Sequence, residues 1–216
     1  MQGRVLEFPV QRAMSQKNPD GFASHLYFDR TFECQGAKVL PGEYYVTDRD
    51  MLITTVLGSC VAACIRDRIT GVGGMNHFML PDGGDADSPV STSMRYGSFA
   101  MEVLINRILK SGGRRENLEC KVFGGGNVLK GLTRLNVGDR NAAFVREYLR
   151  AEGIRIVAED LNATYPRKIV YFPKTGRALM KKLGSDVGDQ AMMRSEQEYA
   201  QQINVVTQVE GDVELF

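Results

Sequence analysis

The sequence is short of the residues that metal and membrane chemistry require. Only two histidines, His25 and His77, occur in 216 residues, and none of the four cysteines (Cys34, Cys60, Cys64, Cys120) is spaced as Cys-x-x-Cys. A structural zinc site wants four Cys or His donors at short, regular spacings, so no metal is expected, and no cofactor either. An excess of one charge is also missing: 27 basic side chains face 26 acidic ones, for a net charge of +1. A near-neutral chain has no general attraction for nucleic acid or anionic lipid, and neither is expected as a partner. Apolar runs such as Val61–Ile65 fall far short of the about 20 residues a membrane-spanning helix needs. Residues 1–17 mix charged residues with single apolar ones and lack the apolar core and cleavage site of a secretory signal. A cytoplasmic location with four free thiols is therefore expected.

What is present reads as one soluble globular domain: 43% of residues are hydrophobic and 25% charged. Residues 1–36 are polar and broken by Pro9, Pro19 and Gly21, which suggests an irregular leader. The domain itself is expected over 37–185, with a C-terminal helix and tail over 186–216. Short β-branched or apolar runs at Glu43–Thr47, Met51–Leu57, Val61–Asp67 and Gly71–Leu80 are separated by turn residues and predict a strand meander. Pro81–Val90 is a polar loop. Phe99, Val103, Leu104, Ile108 and Leu109 recur at helical spacing before Gly112-Gly113, and Asn141–Ala151 predicts a second helix ending at Gly153. Further strands are expected at Cys120–Phe123, Ile154–Ala158, Lys168–Phe172 and Ala178–Lys182, then a helix at Asp186–Gln202 and an extended tail. Strict β-α-β alternation is absent, so the fold class is α+β: a mixed β-sheet or β-sandwich core flanked by helices.

The stretch richest in chemistry is Thr54–Pro81. Cys60 follows Gly58-Ser59 at a strand–turn junction, where small neighbours leave a sulfur accessible and backbone N–H groups can face a reacting carbonyl. His77 lies seventeen residues on, in the second strand after the cysteine, and consecutive strands are usually neighbours. It could hold a thiolate and protonate a leaving amine. Gly73 and Gly74 would allow close approach of a substrate. Against this stands the plainer reading: a Cys in an apolar run and a His beside Phe and Met are commonly core residues. Cys64, Cys34 and Cys120 are read that way, and His25 as a surface residue. The triple glycine Gly124–Gly126 lacks the Gly-Lys-Ser/Thr of a phosphate loop and is read as a tight turn beside the cleft.

Leu57–Val61, Gly71–Pro81, Arg95–Glu102, Lys121–Gly126, Val137–Asn141 and Thr175–Arg177 together resemble the signature of the CheD chemoreceptor glutamine deamidases, in the same order and with similar spacing. The resemblance spans roughly Glu43–Leu183. It implies a Cys-His-Thr triad with the threonine six residues before the cysteine, which selects Thr54, Cys60 and His77; Thr55 is the neighbouring competitor. Gly58, Ser59 and Asn76 are the candidates for holding the oxyanion or the substrate. One departure is the segment Glu159–Pro166, where a family Gly-Gly pair is replaced.

The resemblance implies thioester-mediated hydrolysis of glutamine side chains on methyl-accepting chemotaxis receptors, releasing ammonia. It also implies a possible second partner, the CheC phosphatase. Transglutamination, a non-catalytic adaptor role and a general cysteine protease are the rival readings.

Overall fold

The segment Val61–Asp67 is apolar at every position but its last two, so as a strand it must be covered on both faces. The computed structural model, which describes residues 21–81, 92–128, 137–184 and 194–203, covers it on both. Ten strands are present among these residues: β1 (His25–Asp29), β2 (Cys34–Lys38), β3 (Tyr44–Thr47), β4 (Leu52–Leu57), β5 (Val61–Asp67), β6 (Gly73–Asn76), β7 (Leu118–Gly124), β8 (Arg155–Leu161), β9 (Arg167–Phe172) and β10 (Arg177–Lys182). Three helices accompany them: α1 (Thr92–Lys110), α2 (Val137–Ala151) and α3 (194–203).

The strands form two five-stranded sheets, ordered β1-β2-β4-β9-β10 and β3-β6-β5-β7-β8. Both are mixed, because β2 runs parallel to β4 and β7 parallel to β8. Alternation along β5 then sorts its side chains between two cores. Ala62 and Cys64 join Ile53, Leu57, Ile169 and Tyr171 of the first sheet in a core between the sheets. Val61, Ala63 and Ile65 pack the other way, with Met101, Leu104 and Ile108 of α1 and Val145 and Leu149 of α2. The architecture is sheet on sheet on helices, a mixed α+β domain. Each fully buried Leu or Ile contributes on the order of 1.5–3 kcal/mol. The helix stops fall where the sequence marks them: Gly113 N–H bonds Ile108 O at 3.0 Å and Ile154 N–H bonds Leu149 O at 2.9 Å.

The irregular leader needs correction over its second half. β1 and β2 form an antiparallel hairpin in continuous register from His25↔Lys38 to Asp29↔Cys34. Its turn is closed by Asp29, whose carboxylate accepts N–H bonds from Thr31 (2.9 Å) and Phe32 (3.1 Å). The strands are short and half exposed, with Leu26 and Phe28 facing solvent, so no alternation marked them. Residues 1–20, the polar loop at 82–90 and the tail after 203 lie outside the described residues. No described helix is long and apolar enough to cross a membrane.

Candidate active site

The expected single meander is not what brings Cys60 to His77. β4 and β5 belong to different sheets, and Gly58–Cys60 is the three-residue corner by which the chain crosses between them. The neighbour relation that matters is β5 with β6, paired antiparallel with Cys64 opposite Met75. A bridge between Val61 and Phe78 extends that pairing to the corner and carries His77 there. The His77 backbone is pinned on its far edge, donating to Glu43 O (2.9 Å) and accepting from Gly42 N–H (2.7 Å).

At the corner every carbonyl is tied down from outside. Gly126 N–H bonds Gly58 O at 2.7 Å, Gly125 N–H bonds Cys60 O at 2.8 Å, and the Asn141 side-chain amide bonds Ser59 O at 2.8 Å. The glycines are required for this: Gly124 sits at φ +112°, and a Cβ there would lie 2.1 Å from Cys60 O. Asn141, fully buried on α2, is held in turn by Leu80 N–H at 2.9 Å. With three carbonyls turned out, the N–H groups of residues 58, 59 and 60 turn in together. Such a concave set of N–H groups is an anion site.

The imidazole of His77 is oriented by Thr55. The Thr55 hydroxyl lies 2.8 Å from His77 Nδ1 and 2.7 Å from the Val39 carbonyl oxygen. A carbonyl can only accept, so the one hydroxyl hydrogen goes to Val39 and the Thr55 oxygen accepts from Nδ1–H. In the neutral ring this leaves Nε2 as the basic nitrogen. A ring nitrogen of His77 lies within 4.8 Å of Cys60 Sγ. The family spacing selects Thr54 with Thr55 as its competitor, and the structure places Thr55, not Thr54, against the imidazole. Thr54 turns to the other face of β4 and donates to Ile169 O at 2.7 Å. Thr55 shares its strand face with Ile53 and Leu57, which reach the same inter-sheet core as Cys60.

Asn76 also departs from expectation. Its side chain accepts from Ala63 N–H (2.9 Å) and donates to Ala100 O (3.1 Å), a staple from β6 to β5 and α1 rather than a group aimed at the sulfur. Gly73 and Gly74 make room for protein, since a Cβ would strike Ile65 O at 2.6 Å or Tyr45 O at 2.3 Å. Cys64 and Cys120 are buried core thiols, as expected, and His25 is exposed.

A residue that the sequence did not single out completes the site. Glu196 of α3 is fully buried, and its carboxylate fills the N–H cradle. Oε1 accepts from Gly58 N–H (2.7 Å) and Cys60 N–H (3.3 Å); Oε2 accepts from Ser59 N–H and Ser59 Oγ, both at 2.9 Å. Oε1 stands 4.0 Å from His77 Nε2. Burial, and after it the Glu196 carboxylate, push the Cys60 thiol well above its ordinary pKa. Cys60, His77 and Glu196 also bring three potential metal ligands together. The donor set does not suit a cation: four hydrogen-bond donors already converge on the carboxylate, and their positive ends favour an anion. A cavity of about 470 Å³ borders His77 on the α1 side, with Tyr96 and Tyr199 in its wall.

Comparison with known proteins gives a consistent result. Residues 79–182 match the family model described as CheD chemotactic sensory transduction. A protein of Janthinobacterium sp. (strain Marseille) is 62% identical over 204 residues, covering 94% of this chain and all of the relative. Relatives from Thiobacillus denitrificans (61% over 206 residues) and Herminiimonas arsenicoxydans (61% over 204) cover the same shares. All three are named probable chemoreceptor glutamine deamidase CheD. Among solved structures, the Bacillus licheniformis hypothetical protein YfiH aligns with 56% of this chain and 49% of its own at TM-score 0.35 and 10% identity, too slight a likeness to bear on the fold.

Proposed function

The chain belongs to the chemoreceptor glutamine deamidase (CheD) family, and from that premise we propose that Cys60 is the nucleophile with which it converts receptor glutamines to glutamates. The observation that carries this reading is the cradle at residues 58–60. Three inward N–H groups already hold a side-chain carboxylate beside a thiol and an oriented imidazole.

In the proposed reaction Cys60 gives its proton to His77 Nε2, and the thiolate attacks the glutamine Cδ. Charge develops on the amide oxygen, where the N–H groups of residues 58–60 accept it. The imidazolium returns its proton to the nitrogen as ammonia leaves, and a thioester remains. His77 then takes a proton from water, whose oxygen attacks the thioester carbon; glutamate forms and the thiol is restored. The cavity bordering His77 is the proposed route for that water. Thr55 is a positioning residue here: accepting Nδ1–H fixes the tautomer and steadies the imidazolium.

Substrate and location follow from the family: glutamines on the cytoplasmic part of methyl-accepting receptors, met by a cytoplasmic enzyme. The CheC phosphatase is kept as a proposed second partner, tested by co-purification. The main test is peptide mapping of purified receptor after incubation with wild type or Cys60→Ala. Glutamate should appear at receptor glutamines with wild type alone, and its absence with both proteins would overturn the reading.

A further inference from the structure

Glu196 is not merely near the site; it occupies it. Its carboxylate takes the N–H groups of Gly58, Ser59 and Cys60, the groups assigned above to the reacting amide oxygen. A glutamate side chain held there has the chemical form of the reaction's own product. We infer that α3 is a built-in product mimic: it blocks the active site in cis, and a protein substrate presenting a glutamine must displace it.

Three features support this. First, the fit is close, since a Cβ on Gly58 would stand 2.8 Å from Glu196 Oε2. Second, Glu196, Tyr199 and Ile203 are spaced i, i+3 and i+7, which puts them on one helix face, and all three are buried. Tyr199 meets the Tyr96 hydroxyl and lies where a Cβ on Gly42 would be, 2.7 Å from its ring. Gly42 also donates to His77 O, so the helix seats on the backbone that carries the histidine. Third, over its described residues α3 presents only this one face to the domain, with Arg194, Gln197, Glu198, Gln201 and Gln202 exposed. What seats it is therefore a single stripe that another segment can replace. The bound form is also chemically quiet, because burial and the Glu196 carboxylate hold the thiol protonated.

The inference rests on Cys60 being the nucleophile, and the test keeps the two separable. In the full-length protein, wild type, Glu196→Ala and Tyr199→Ala are treated with iodoacetamide, and alkylation is followed on the Cys60 peptide. Both variants should react about tenfold faster if the closed form dominates. Equal rates in all three proteins would overturn the occlusion whatever the enzyme's substrate. The same proteins are then given receptor, and both variants should convert its glutamines faster than wild type. Cys60-dependent receptor conversion at one rate in all three would overturn the inhibition and leave the deamidase reading standing. Conversion by none of the three would overturn the deamidase reading and leave the alkylation result to decide occlusion. A third variant, Glu196→Gln, keeps the length of the side chain but sets an amide NH2 against a backbone N–H donor, because both carboxylate oxygens accept from N–H groups. Its Cys60 alkylation rate should rise from wild type toward that of Glu196→Ala, and a rate equal to wild type would contradict the assignment of the carboxylate as the mimic.

Discussion

The corner at Gly58–Cys60 and the helix that covers it are held in opposite ways. The corner is over-determined: two N–H groups of the triple glycine and the Asn141 amide fix its three carbonyls, and two sheets converge on it. Among the described residues, helix α3 is seated by Glu196, Tyr199 and Ile203 along one face, with Ala200 beside them. The difference separates a permanent cradle from a replaceable occupant. Preorganised donors stabilise developing charge only if they need not move, so rigidity belongs in the corner. Removing parts of the corner should therefore impair the site, whereas removing parts of α3 should open it.

The largest effect is expected at Thr55. Thr55→Ala removes the acceptor for His77 Nδ1–H and should lower kcat for receptor conversion about 100-fold, with Thr55→Ser restoring most of it. Next is Asn141→Ala, which leaves the buried Ser59 carbonyl and Leu80 N–H without their partner. Unfolding by denaturant should show a loss of about 2–3 kcal/mol, with Cys60-dependent turnover reduced as well. Thr54→Ala should cost about 1 kcal/mol of stability through its bond to Ile169 O and leave kcat close to wild type. A kcat loss at position 54 as deep as at 55 would break the tautomer argument.

A pH measurement sharpens the contrast. A neighbouring carboxylate disfavours the thiolate, so Glu196→Ala removes one cause of the raised Cys60 pKa. Thiolate then appears at lower pH, and the midpoint of Cys60 alkylation against pH should move down from wild type. Coincident midpoints would show that Glu196 does not act on the thiol.

That Cys60 and His77 lie near each other was legible from their spacing, because β5 and β6 are sequential, antiparallel neighbours. Their roles as nucleophile and base came from the family resemblance. The threonine was selected by family spacing, and spacing does not say which face of β4 a side chain takes. The strand stops at Leu57, before Cys60. The corner resets the alternation, so Thr55 shares the sulfur's side. Glu196 was out of reach because its hydrogen-bond partners are 136 to 138 residues away and three of the four are backbone groups, which leave no residue-type pattern. The α+β class and most strands followed from periodicity, while the hairpin of β1 and β2 was too short and exposed to show.

The replaced glycines near residue 160 have a conformational meaning. Asn162 and Ala163 hold φ +65° and +69°, a region glycine occupies without strain. Their turn supports the corner's own support: Asn162 N–H bonds Gly124 O (2.9 Å) and Ala163 O accepts from Asn127 N–H (2.8 Å). Buried Arg167 ties it to Asp160 and to the Asn162 carbonyl. Ala163→Gly should raise stability by about 1 kcal/mol without changing turnover.

The most direct test of the account is trapping the thioester. Receptor incubated with wild type and hydroxylamine should acquire glutamyl hydroxamate at the same residues that otherwise become glutamate, and Cys60→Ala should give neither product. Glutamate forming equally well with Cys60→Ala would contradict the account.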